Sequence, residues 1–304
     1  MRAFVAITDN EWFEFLRRQE GLTEVNFWQP SGGRQFRALE PGQPLLFKLH
    51  APHNVIAGGG FFATFSILPI SLAWETFGTG NGAPNRDLMR ERIERYRRVP
   101  ADPRADYSIG CIILEEAFFL EECDWISVPD DFSRHTQVGK SYDLTVGVGR
   151  ELWDRVVGAR ALMLHAGSEG GEMYGQPTLF RPRLGQGAFR VLVTDAYQRH
   201  CAVTGEKTLP VLEAAHIRPV GQGGVHRVDN GLLLRSDVHT LFDRGYVTVT
   251  PDFQFRVSER LKRDWDNGHV YYALEGRPIT RPPSHESCPS PLELEWHADT
   301  VFLG

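Results

Sequence analysis

Between Leu212 and Gly245 the sequence admits few folds. Leu212-Glu213-Ala214-Ala215-His216-Ile217 reads as a strand, and Arg218-Pro219-Val220-Gly221-Gln222-Gly223-Gly224 breaks it into a loop. Asn230-Gly231-Leu232-Leu233-Leu234 opens a second strand. Ser236 is a suitable N-cap for a short helix, and Gly245 a suitable stop. On that helix His239 and Asp243 stand at i and i+4 and share one face, while Val238 and Phe242 make a second such pair turned toward a core. Taken singly, His216 is a core histidine, Asn230 a turn residue and Asp243 a helix exit. Their order and spacing as a set point to a catalytic site.

Charge supports a local role in binding phosphate. The chain of 304 residues has a formal net charge of −6, yet Thr178–Arg263 holds 13 Lys/Arg against 8 Asp/Glu. A basic segment inside an acidic chain suits phosphate contact, and Arg218 and Arg235 are the candidates for it. Cys111, Cys123, Cys201 and Cys288 are too scattered for a structural zinc site or a disulfide framework. No apolar run reaches membrane-spanning length, and Arg2–Ile7 is too short for a signal segment, so a cytoplasmic protein without membrane contact is expected.

Upstream the pattern is mixed α/β. Phe4–Ile7, Pro44–Leu49, Phe61–Ile67 and Ile109–Leu114 read as strands. Thr8-Asp9-Asn10-Glu11 matches a capping box, opening a helix whose inner face is Trp12, Phe15 and Leu16. Asn85–Arg98 reads as a charged helix with Leu88, Ile93 and Tyr96 as its apolar residues. Gly58-Gly59-Gly60 suggests a glycine-rich turn in a small curved sheet or barrel. The crowding of Gly167, Gly170, Gly171, Gly175, Pro177 and Pro182 marks a linker. The expected organisation is an α+β chain with an N-terminal domain at 1–155, a linker at 156–184 and a C-terminal domain at 185–304.

The runs Cys201-Ala-Val-Thr-Gly205, Glu213-Ala-Ala-His-Ile217, Asn230-Gly-Leu-Leu-Leu234 and His239-Thr-Leu-Phe-Asp-Arg-Gly245 together resemble HNH endonucleases. More narrowly they resemble the subgroup in bacterial restriction-type proteins, as do Gly185-Gln-Gly-Ala-Phe-Arg190 and Asp195-Ala-Tyr197 upstream. The resemblance spans roughly residues 183–265 and implies a ββα-metal domain that hydrolyses phosphodiester bonds of double-stranded DNA. It implies that His216 is the general base, that Asn230 pins the loop orienting it, and that His239 and Asp243 are ligands to a divalent ion. Mg²⁺ is the first choice for that ion, with Mn²⁺, Ni²⁺ or Zn²⁺ as alternatives. Many members carry an Asp or His ligand where this chain has Ala215, and Glu213, two residues earlier on the same strand face, is the candidate substitute. That departure keeps a second outcome open, a nucleic-acid-binding protein with an inactive HNH remnant.

Gly42-Gln-Pro-Leu-Leu-Phe-Lys48, Gly58-Gly-Gly-Phe61, Trp74, Gly80-Asn-Gly82, Gly110-Cys-Ile-Ile-Leu114 and Trp125-Ile126 resemble the PUA-like superfamily, which includes EVE, ASCH and SRA-type domains. Some of these domains take a modified base out of the stack, so the resemblance implies a modification-dependent restriction enzyme. Trp28, Trp74 and Asn81 are its candidate base-recognition residues. An N-terminal domain that senses RNA or a protein partner is the competing expectation. Cutting both strands needs two active sites or two successive nicks, for which a homodimer is one solution.

Overall fold

The computed structural model describes residues 1–33, 35–97, 102, 104–165 and 185–304. The chain is α+β and divides into two compact units, Met1–Arg183 and Leu184–Gly304.

The first unit is built on one open sheet. Its strands are β1 (Arg2–Thr8), β2 (Glu24–Gln29), β3 (Pro44–Leu49), β4 (Val55–Pro69), β5 (Ser108–Phe119), β6 (Ile126–Ser127) and β7 (Gly139–Asp143). They run in the order β2-β5-β4-β3-β1-β7, with β6 beside β4. Among the described residues, β1 and β3 pair in parallel and the other pairs of this sheet are antiparallel. Strand β3 is buried at every position, including Lys48, whose Nζ donates to Asn54 Oδ1 at 2.9 Å.

Gly58-Gly59-Gly60 lies inside β4, not in a turn. A Cβ at Gly58 would meet the Phe118 carbonyl at 2.3 Å, and one at Gly59 the Leu45 carbonyl at 2.7 Å. Register shifts follow at Gly59/Phe61 and Phe62/Thr64, and such bulges bend a sheet. The bend does not close it, since the strand path among the described residues ends at β2 and β7. The barrel alternative is therefore replaced by a curved open sheet.

Helices α1 (Asn10–Leu16), α2 (Ile70–Phe77), α3 (Arg86–Tyr96) and α4 (Gly147–His165) complete the unit. The cap of α1 is Asp9 rather than Thr8, accepting from the Trp12 amide at 2.7 Å. Thr8 is buried, and its hydroxyl donates to Ala6 O. Phe13 rather than Phe15 joins Trp12 and Leu16 in the core. In α3 the buried residues are Met89 and Ile93, while Leu88 and Tyr96 are exposed. Helix α4 runs through the expected boundary at 155, and its Val156 and Ala159 join Leu152 and Trp153 in a core cluster. Val156 and Ala159 thus belong to the apolar face of this helix and not to a linker. The glycines and prolines from Gly167 to Pro182 lie outside the described residues.

The second unit centres on a hairpin of β8 (Leu212–His216) and β9 (Gly231–Arg235), with α5 (Gln186–Ala196) before it and α6 (Ser236–Asp243) directly after. The small ribbon of β10 (Val247–Val249) and β11 (Phe255–Val257) follows, then α7 (Glu259–Trp265), α8 (His269–Tyr272) and α9 (Pro291–Thr300). Phe189 and Val193 of α5 share one core with Ala215, Leu232, Val238 and Phe242. The last helix returns to that core through Leu294 and His297, and Leu303 N donates to Gly245 O at 2.8 Å. His297 is neutral structure: its ring stacks on Phe242 at 3.7 Å, Nδ1 meets Thr248 Oγ1 at 2.8 Å, and burial pushes it down to about 4.

Candidate active site

Beside the hairpin lies a cleft of about 680 Å³ whose lining includes Glu213, His216, His226, His239 and Asp243. His216 ends β8 opposite Gly231. That glycine has a steric reason, since a Cβ there would meet Val193 Cγ2 at 2.5 Å and Phe189 at 3.1 Å. Its absence lets Phe189 lie under the His216 imidazole, centroid to centroid 3.9 Å and 11° from parallel. Burial pushes His216 down to about 4, with the neighbouring charges of His226 and His239 acting the same way. The ring is neutral at pH 7 and free to accept a proton.

Asn230 sits under the loop, 2% exposed. Its Oδ1 accepts from Arg218 N at 2.9 Å, while Nδ2 donates to Arg218 O and Val225 O, each at 2.9 Å. One side chain thus ties both ends of the 218–225 loop, and the loop closes so tightly that a Cβ at Gly224 would meet Arg218 O at 1.9 Å.

On α6, His239 faces the cleft between two carboxylates. Its Nδ1 lies 2.6 Å from Glu213 Oε2 and its Nε2 3.3 Å from Asp243 Oδ2. Asp243 is exposed at the rim, yet its partial burial lifts its pKa; His239 opposes this and the Glu213 charge adds to it. Ala215 is fully buried and offers no donor. Among the described residues no three His, Cys, Asp or Glu side chains converge on a point where an ion could sit. The donor chemistry fits a smaller protein share. Nε2 and Oδ2 are separated about as two adjacent ligands on one small divalent ion would be, at roughly 3 Å for bonds of 2.0–2.1 Å. The Glu213 bond to Nδ1 matches the carboxylate that commonly orients a metal-bound imidazole from outside.

The candidate phosphate contacts fare differently. Arg235 forms two bonds to Asp237, at 2.6 and 2.7 Å, and is occupied at the start of α6. Arg218 donates from Nε to Gln222 O at 2.8 Å and lies over Trp296 at 5.1 Å. Arg190 of α5 lines the cleft itself. Sequence reasoning assigned no role to Arg190 or His226. Arg190 stands at the end of Gly185-Gln-Gly-Ala-Phe-Arg190, whereas His226 has no sequence signal beyond its place in the loop.

In the first unit, Trp28, one of the three candidate recognition residues, lines a cavity. That cavity, about 300 Å³, is also walled by Phe36, His50 and Tyr96, with Asp9 and Gln29 among its polar groups. Tyr96 Oη donates to Asp9 Oδ2 at 2.6 Å. Asn81 is instead fully buried, accepting from Asn26 Nδ2 and donating to Ala73 O and Gly78 O. It is a structural joint, and its backbone oxygen accepts from Trp28 Nε1 at 3.2 Å. Trp74 is half-buried on α2, away from the cavity lining.

Residues 201–250 match the family model HNH_2, described as HNH endonuclease. No curated protein matches the chain. Among solved structures, similarity is found to the ASCH protein of Zymomonas mobilis, at 8% identity and TM-score 0.34, covering 51% of this chain and 94% of that one. A structure titled "Modification dependent TagI restriction endonuclease" matches at 13% identity and TM-score 0.31, covering 97% of this chain and 81% of that one. The second unit therefore carries an HNH endonuclease domain, and the chain is a nuclease. Among the described residues no helix is long and apolar enough to cross a membrane.

Proposed function

We propose that the chain is a metal-dependent DNA endonuclease in which His216 is the general base and His239 and Asp243 hold one divalent ion. The observation that carries this is the meeting of a neutral, stacked imidazole and an imidazole–carboxylate pair across one cleft inside the matched segment. His216 takes a proton from the attacking water, a role that contributes about 10²–10⁴-fold in comparable enzymes. Asn230 holds the loop beside it, and Glu213 fixes the tautomer of His239 from outside the ion's shell. Arg190, which lines the cleft, meets the phosphate in place of Arg235. An ion held by His239 and Asp243 would supply Lewis-acid polarisation of the scissile phosphate and charge stabilisation for the leaving 3′ oxygen. One imidazole and one carboxylate completed by water suit Mg²⁺ as the first choice, with Mn²⁺, Ni²⁺ or Zn²⁺ as alternatives. The products are 5′-phosphate and 3′-hydroxyl ends.

The first unit, in this reading, selects DNA that carries a modified base. Its support is the aromatic cavity beside Trp28, at the small end of ligand pockets, which run to about 300–1,000 Å³. A base rotated out of the duplex would stack on Trp28 or Tyr96 and meet Asp9 or Gln29 at its edge. Cleavage of matched modified and unmodified duplexes at one salt concentration tests this. A preference that Trp28→Ala removes and Trp74→Ala leaves is expected; equal cleavage of both duplexes would refute modification dependence.

A further inference from the structure

His226 takes no part in the mechanism above, yet its Nδ1 lies 3.0 Å from His216 Nε2. The two ring planes meet at 63° with centroids 5.0 Å apart, an edge-on geometry that suits an N–H···N bond. Both rings are held. Phe189 fixes the plane of His216 from below. Asn230 Nδ2 and the Arg227 amide both donate to Val225 O, at 2.9 Å each, which secures the backbone on either side of His226. Among the described residues His216 Nδ1 has no protein partner.

We propose that His226 is a positioning residue for His216: it accepts the His216 Nε2–H and thereby leaves the Nδ1 lone pair free for the water proton. This rests on the reading of His216 as the base. As the water oxygen bonds to phosphorus, its O–H bond breaks and the proton joins His216 Nδ1. The P–O3′ bond breaks with its electron pair leaving on O3′, which is protonated from solvent. The Nε2 proton of His216 passes to His226 Nδ1, and His226 releases its Nε2 proton to solvent. Burial disfavours a charge left on His216, and the transfer removes it from that ring. The other titratable groups around the cleft are Arg190, Glu213, His239, Asp243 and His297.

The test is single-turnover nicking of plasmid DNA by the full chain from about pH 3.5 to 9, a window that brackets the His216 value of about 4, with Mn²⁺ binding followed in parallel. His226→Ala should lower the plateau rate about tenfold or more and move the acid limb to higher pH, because the opposing His226 charge is gone. His226→Asn, whose amide oxygen lies near the Nδ1 position, should recover the rate to within about threefold of wild type. Should His226→Ala fail to fold, His226→Gln replaces it and should show the same loss, its acceptor reaching the wrong position. An unmoved acid limb with an unchanged rate would overturn the proposal. Loss of Mn²⁺ binding in His226→Ala would overturn it too, by making His226 a ligand. His216→Ala is the control: wild-type cleavage there removes the base and this proposal together. Inactive His216→Ala beside unaffected His226→Ala removes this proposal alone.

Discussion

Replacing Glu213 separates an outer carboxylate from a metal ligand. Its Oε2 is 2.6 Å from His239 Nδ1, the length of a charge-assisted bond, worth about 1.5–3 kcal/mol where solvent is excluded. The Glu213 side chain is 46% exposed and that of His239 21%, so screening brings the figure to about 1–2 kcal/mol. At about 1.4 kcal/mol per tenfold, Glu213→Ala should weaken Mn²⁺ binding roughly 5- to 30-fold, overlapping the lower part of the range of about 10–100-fold for outer-shell partners. Glu213→Gln keeps an oxygen that accepts the Nδ1 proton and should lose no more than about fivefold. Calorimetric Mn²⁺ titration, paired with the metal dependence of nicking, reads both variants. If Gln is as damaging as Ala and both lose on the order of 10³-fold, Glu213 ligates the ion directly and the two-donor site is wrong.

Asn230→Ala removes three hydrogen bonds from a buried position and leaves the Arg218 amide and carbonyl without them, while Val225 O keeps the Arg227 amide. It should destabilise the domain by about 2–4 kcal/mol and lower cleavage more than binding, checked by denaturant titration and by rates at saturating DNA. Gly231→Ala drives a methyl into Val193 and Phe189, and should lower the melting temperature together with the nicking rate. The unfolded chain protonates His297 below about pH 6.5, the folded chain only below about 4. Stability from this residue is therefore complete above about pH 6.5 and declines as pH falls toward 4, by about 3 kcal/mol in all. His297→Phe, which keeps the stack on Phe242, should flatten that slope in pH-dependent denaturant titrations even if it lowers absolute stability.

The hairpin and its helix were legible because period and punctuation agree there. Leu232–Leu234 are buried as a strand should be, Val238 and Phe242 face inward, and Gly245 adopts a positive φ of 74° to end the helix. The cap of α6 was displaced by one residue to Arg235, whose side chain bonds Asp237 rather than a backbone amide. What escaped was what depends on contacts between distant segments. Gly58-Gly59-Gly60 looks like a turn from its neighbours, and only the crossing strands show why side chains are excluded. Asn81 looks like a polar reader until Asn26, Ala73 and Gly78 consume its hydrogen-bonding capacity. His226 gains meaning only when the loop folds back on His216, ten residues away in sequence.

The most direct test of the account is nicking of supercoiled plasmid by wild type and His216→Ala, with Mg²⁺, Mn²⁺ or Ni²⁺ and in chelator. Wild type should nick with at least one ion and not in chelator, and His216→Ala should fall by about 10²-fold or more with its melting temperature little changed. Cleavage absent with every ion, or unchanged by the substitution, would contradict it.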